Sequence, residues 1–221
     1  MTGAADPAVL TEALRRELCA TGRLLAAAGL VTGTSGNLSA RLGELVVVTP
    51  AGVALDALEP DDCPVLDLAG NRLAGTLDPT SETSLHLGVY RTTFAGAAVH
   101  THSRDAVAVA SVRTELPPLH YTALALGGTV RVAPYATYGT PELAESVLTA
   151  LDGKSAALMA NHGALAIGPD LTRARDNAEL LEWLCGVYIR ASQLGEPRVL
   201  TEAELVAVIE RSARPWRPEG T

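Results

Sequence analysis

The run Ala97-Ala98-Val99 leads directly into His100-Thr101-His102, and this short stretch limits what the chain can become. Side chains alternate across a β-strand with a period of two, so His100 and His102 fall on one face of an extended segment. His102 then sits at the strand's C-terminal end, where ligands gather in open α/β sheets. A third histidine, in Asn161-His162-Gly163, also follows an apolar run. Three neutral imidazoles with a fourth position open suit a catalytic rather than a structural zinc site. Glu82 is the candidate carboxylate to act beside them as acid or base.

Flanking signals give the architecture. Asp6-Pro7 reads as an N-cap with proline at N1, opening a helix to about Ala28 that Gly29 ends. Leu45 to Val48 is a short strand, and Val65 to Leu68 with Leu73 reads as a hairpin. A helix is expected over 81–93, the histidine strand next, then a helix over 105–111 and a strand over 130–132. Thr140-Pro141 repeats the cap-plus-proline signal for a helix to about Leu151. Strands over 156–159 and 164–167 meet at Asn161-His162-Gly163. Asp170 caps a helix to about Gln193, and Thr201 opens the last one. Alternating strands and helices, hairpins included, predict an α/β sandwich with a mixed sheet. One domain spans 1–221, with 206–221 as its C-terminal tail.

Composition excludes several classes. The formal net charge is −8 without a basic patch, which argues against nucleic-acid binding. No run of about 18 apolar residues suggests a membrane span, and the N-terminus lacks a signal-peptide pattern. Cys19, Cys63 and Cys185 are odd in number and far apart, so reduced thiols and a cytoplasmic location are expected.

Two segments are suited to an anion. Glycines in Gly33-Thr34-Ser35-Gly36-Asn37 let consecutive N–H groups converge, although a plain turn fits the same residues. Thr80-Ser81 stands at a helix N-terminus, where the dipole favours phosphate. Glu82 falls in the first helical turn, so capping is its ordinary explanation. His86, one turn later on the same face, reads as a packing residue or a support for the site. Tyr121, Tyr135, Tyr138 and His120 read by themselves as half-buried aromatic residues.

Gly33-Thr34-Ser35-Gly36-Asn37-Leu38-Ser39-Ala40-Arg41, Thr49-Pro50-Ala51-Gly52, Thr80-Ser81-Glu82, Val99-His100-Thr101-His102 and Asn161-His162-Gly163 occur in that order. This series resembles the class II aldolase/adducin superfamily, in its L-fuculose-1-phosphate aldolase branch, over roughly residues 8–205. His120-Tyr121 and Ala133 to Thr140 are similar to that branch as well. The resemblance implies an α/β/α fold and a C4 homotetramer with active sites between subunits. It implies one Zn2+ per subunit on His100, His102 and His162, with Glu82 as acid/base group and resting-state ligand. Asn37, Gly52, Thr80 and Ser81 would hold the substrate phosphate. Tyr121, from an adjacent subunit, would exchange a proton with the aldehyde-derived oxygen. The implied reaction is reversible cleavage of L-fuculose 1-phosphate or a 5-deoxy-pentulose 1-phosphate into dihydroxyacetone phosphate and a small aldehyde. Zinc acts there as Lewis acid, and Glu82 suits proton transfer if partial burial raises its pKa.

The series departs from the branch at two places. Ala51 stands where the branch usually has a phosphate-binding threonine, leaving Ser35 or Thr34 to replace that donor. The C-terminus runs Ser212-Ala213-Arg214-Pro215-Trp216-Arg217, with Trp216 the one aromatic residue available to meet the aldehyde. The alternative function is a pentulose 5-phosphate 4-epimerase of the same superfamily, which usually carries Asp at the Glu82 position. A non-enzymatic adducin-like module is a third reading, and the intact histidine triad argues against it.

Overall fold

Helix starts follow their caps. In a computed structural model that describes residues 6–213, the Asp6 side chain accepts from Ala8 N to begin α1, Pro7–Leu10. The helix expected from Pro7 to Ala28 is interrupted: Thr11 Oγ1 donates to Pro7 O at 2.7 Å, and α2 restarts over Glu12–Ala27. A buried threonine bonding back to the preceding turn competes with continued helix, and leucine spacing alone does not reveal it. Thr140 and Asp170 cap α5, Pro141–Leu151, and α6, Leu171–Leu194. Thr201 and Glu204 form a capping box for α7, Glu202–Ser212. Between them lie α3, Thr83–Thr92, and α4, Arg104–Ala110. The tail expected at 206–221 thus begins inside α7, and Trp216 lies outside the described residues.

Among the described residues, nine strands form one sheet. They are β1 Asn37–Leu42, β2 Leu45–Val48, β3 Val65–Asp67, β4 Arg72–Ala74, β5 Ala97–Thr101, β6 Glu115–Leu116, β7 Val130–Ala133, β8 Ala156–Met159 and β9 Gly163–Gly168. Their order across the sheet is β4-β3-β2-β1-β5-β9-β8-β7-β6. β7 and β8 run parallel with α5 as their crossover, and the other neighbouring pairs are antiparallel. The sheet is mixed, as expected.

Alternation sorts the strand residues into two cores. Val47, Ala97, Val99, Leu158 and Ala166 meet α2, α4 and α6 on one face. Val46, Val48, Ala98, Ala157, Met159 and Leu165 meet α3 and α5 on the other. The three layers are therefore helices, sheet and helices. Among the described residues, no helix is long and apolar enough to cross a membrane, and Cys19, Cys63 and Cys185 are buried free thiols.

Leu158 is fully buried in β8, a strand paired on both sides. Leu158→Ala should lower unfolding free energy by about 2–5 kcal/mol in chemical denaturation. A loss below about 1 kcal/mol would show that the first core is loosely packed.

Candidate metal centre and its cleft

The register of three central strands builds the site. His100 on β5 lies opposite Asn37 on β1 and opposite Leu165 on β9. His102 stands one residue beyond the strand, which ends at Thr101, so the pair straddles the strand end. The rings still converge, with centroids 4.7 Å apart. His162 arrives from the β8–β9 turn, where Asn161 takes a left-handed φ of 54°. Its ring centroid is 5.0 Å from that of His100 and 4.9 Å from that of His102. The histidine nitrogens lie within 4.8 Å of one another, close enough to share one ion.

Gly163 permits this approach. A Cβ there would stand 2.2 Å from Thr101 O and 3.2 Å from both the His100 and His102 rings. The turn that delivers His162 therefore passes against the strand that carries the other two.

Glu82 is the N-cap residue of α3, and its side chain makes no capping bond. Capping does not account for it. Its Oε2 lies 3.0 Å from His100 Nε2 and accepts from Asn37 Nδ2 at 2.8 Å. Its Oε1 is 3.6 Å from His162 Nε2, buried and without a hydrogen-bond partner. Burial pushes the Glu82 carboxyl up, as expected from sequence. His100, Asn37 and His162 outweigh that push and hold it well below the usual carboxylate range. The direction is thus opposite to the expected one: His100 and His162, when they carry protons, favour the ionised form together with the Asn37 amide.

The donor set fits a divalent cation. His100 Nδ1 donates to Ala164 O at 2.9 Å, which leaves Nε2 with a bare lone pair. That lone pair faces His102 Nε2 at 2.9 Å and the Glu82 carboxylate. Burial, with the nearby histidines, pushes His102 down to about 4 and lowers His162. Both shifts favour the neutral imidazole, the form that binds metal.

A cleft of about 380 Å³ opens beside this cluster. Asn37, Gly52, Thr80 and Ser81 line it with Glu82, His102 and His162, so the structure brings these expected residues together. His100 lies behind, fully buried. Thr34, Ser35 and Ala51 are also on the wall, but Ser35 Oγ donates to Thr32 O at 2.6 Å. Of the two expected hydroxyls, Thr34 remains to replace the donor absent at Ala51. Tyr135 and Tyr138, expected to be half-buried, are 66% and 68% exposed and line the cleft. Asn161 also lines it, a placement that sequence reasoning missed although it flanks the third histidine.

Tyr121 is not in this cleft. It begins a 3-10 turn, Tyr121–Leu126, is 52% exposed, and borders a separate groove with Ala207, Val208 and Arg211 of α7. His120 caps that turn, accepting from Thr122 N at 3.3 Å. His86 is fully buried behind the site and touches Asn37 and Ser39, a supporting position as expected.

Comparison with known proteins agrees with this geometry. The class II aldolase and adducin N-terminal domain family matches residues 16–189. A 5-deoxy-D-ribulose 1-phosphate aldolase from Bacillus thuringiensis serovar kurstaki is 36% identical over 200 residues, covering 89% of this chain and 94% of that protein. An L-fuculose phosphate aldolase from Escherichia coli (strain K12) is 33% identical over 201 residues, covering 90% of this chain and 93% of the other. A solved L-fuculose 1-phosphate aldolase superposes with a TM-score of 0.86 at 37% identity, covering 90% of this chain and 95% of that one. With three clustered histidines, a buried carboxylate and this likeness along most of its length, the chain belongs to the class II aldolase and adducin N-terminal domain family and is a class II aldolase.

Proposed function

We propose that this aldolase reversibly cleaves a ketose 1-phosphate, L-fuculose 1-phosphate or a 5-deoxy-pentulose 1-phosphate, into dihydroxyacetone phosphate and a small aldehyde. The observation that carries the reading is the Glu82 carboxylate. It is buried at 5% exposure with Oε1 unpartnered, against three convergent imidazoles, in a cleft that also holds two loop or helix-start segments suited to phosphate. The substrates named for the aldolase relatives supply the chemical class.

His100, His102 and His162 would hold one Zn2+ per subunit, with Glu82 as an additional ligand at rest. When bound, the ion supplies Lewis acidity to the ketose carbonyl and so favours the carbanionic character that cleavage generates. Glu82 returns a proton to the carbon left behind, and removes it in the synthetic direction. Its lowered pKa favours the ionised form that begins synthesis. Asn37, Gly52, Thr80 and Ser81 hold the phosphate through side-chain donors, the Gly52 turn and the start of α3. This uses a part of the substrate that does not react to position the part that does.

Tyr121 takes the aldehyde end in this reading. Its exposed hydroxyl belongs to a neighbour's site in a C4 homotetramer whose clefts lie at subunit interfaces. Three buried free thiols support a cytoplasmic location.

Purified protein should contain about one divalent ion per chain and release dihydroxyacetone phosphate from one of these substrates. Absence of metal, or epimerisation without cleavage across a panel of ketose phosphates, would sink the assignment. Glu82→Gln should retain metal while turnover drops by about 10²- to 10⁴-fold; unchanged turnover removes Glu82 from its role. Thr34→Ala should raise KM for the phosphorylated substrate about 5- to 10-fold with little change in kcat, as expected for loss of one ground-state hydrogen bond. An unchanged KM would show that Thr34 does not replace the missing donor at Ala51.

A further inference from the structure

Four buried polar side chains lead from Glu82 into the second core. Asn37 Nδ2 contacts Glu82 Oε2 at 2.8 Å, and Asn37 Oδ1 contacts His86 Nε2 at 2.5 Å. His86 Nδ1 lies 2.6 Å from Ser39 Oγ, which lies 2.7 Å from the Tyr90 hydroxyl. All four are between 0% and 7% exposed.

Donor and acceptor counting gives this series one direction. An ionised carboxylate only accepts, so Asn37 must turn its NH2 towards Glu82 and its Oδ1 towards His86. Oδ1 also only accepts, so His86 Nε2 carries a hydrogen. A fully buried imidazole without a carboxylate in hydrogen-bond contact with its ring is neutral. Its Nδ1 therefore has no hydrogen and takes that of Ser39. Ser39 Oγ in turn receives the Tyr90 hydroxyl. Each hydrogen in the series points towards Glu82.

We propose that His86 is a positioning residue for this aldolase. It locks the Asn37 amide so that one Nδ2 hydrogen meets Glu82 Oε2 and the other is offered to a phosphate in the cleft. The two ends of an asparagine amide have nearly the same shape, so packing alone does not choose between them. The Glu82 carboxylate holds the NH2 end, and the Nε2–H of His86 holds the Oδ1 end from behind. A flipped amide would set Oδ1 against the carboxylate, two acceptors at contact distance, and displace the base. This inference rests on the reading that Glu82 moves the proton and Asn37 touches the phosphate. His86, Ser39 and Tyr90 touch no substrate in this scheme; they act through Asn37.

The test compares His86→Phe, which keeps a ring without nitrogen, with His86→Gln, whose amide nitrogen can stand in for Nε2–H. Thermal unfolding and metal content are followed with steady-state kinetics. His86→Phe should keep its metal while kcat falls about 10- to 100-fold and KM for the phosphorylated substrate rises. His86→Gln should recover most of kcat. Ser39→Ala, which removes the proton that fixes the His86 tautomer, should lose part of the activity. In the double variant with His86→Phe its effect should vanish, as for groups acting through one path.

Nitrogen-15 spectra of histidine-labelled wild-type protein provide a readout independent of turnover. His86 should show the Nε2–H tautomer with an exchange-protected proton. An Nδ1–H tautomer overturns the proposal. So does a folded His86→Phe with kcat within about threefold of wild type, or one whose activity falls only in step with metal loss. If His86→Phe does not fold, Ser39→Ala and the spectrum decide the matter. If the wild type cleaves no ketose 1-phosphate, the substrate assignment fails, while the spectrum still decides how His86 holds Asn37.

Discussion

Four groups rich in lone pairs meet in one largely buried corner, and the surrounding structure serves that meeting. His100, His102, His162 and Glu82 come from β5, from the residue just past it, from the β8–β9 turn and from the start of α3. Lone pairs at such distances repel unless a cation lies among them, so the arrangement is costly to a protein that gains nothing from it. Its supports are correspondingly tight. The Ala164 carbonyl fixes the His100 tautomer, Gly163 removes the Cβ that would strike Thr101 O, and the β1–β5 register sets Asn37 beside His100.

The two oxygens of Glu82 have unequal surroundings. Oε2 accepts from Asn37 and faces His100, whereas Oε1 has only a distant His162 and no hydrogen bond. A carboxylate anchored through one oxygen keeps its position while the other stays open to a further partner. The same asymmetry links the anchored oxygen to the buried series behind Asn37. An amide that turned over would exchange a donor for an acceptor at the anchored oxygen. Rigid support behind a reacting group of this kind is a common use of buried polar networks.

Much of the fold was legible from short-range chemistry. Asp6, Thr140, Asp170 and Thr201 announce their helices because a side-chain oxygen reaches an N–H two or three residues on, a purely local event. β2, β8 and β9 were readable because their apolar runs are dense. β1 was not. Asn-Leu-Ser-Ala-Arg-Leu has weak strand propensity, and it is extended because β2 and β5 pair with it from both sides. The break at Thr11 was hidden for a related reason. Apolar spacing continues through it, and only the bond from Thr11 Oγ1 to Pro7 O marks the interruption.

The sequence by itself marked the groups suited to chemistry: the histidine triad, Glu82, and the glycine- and hydroxyl-rich segments that flank them. Residue type and local spacing are enough for that, since an imidazole or carboxylate is the same group wherever it sits. Only the tertiary structure decided how they act. It moved Glu82 from an ordinary capping role to the histidine cluster and reversed the direction of its pKa shift. It brought Tyr135 and Tyr138 to the cleft while leaving Tyr121 outside it, and it aligned Tyr90, Ser39 and His86 behind Asn37. These outcomes depend on distances between segments far apart in the chain, where burial and neighbouring donors set the charge of a group and the direction of its hydrogen bonds.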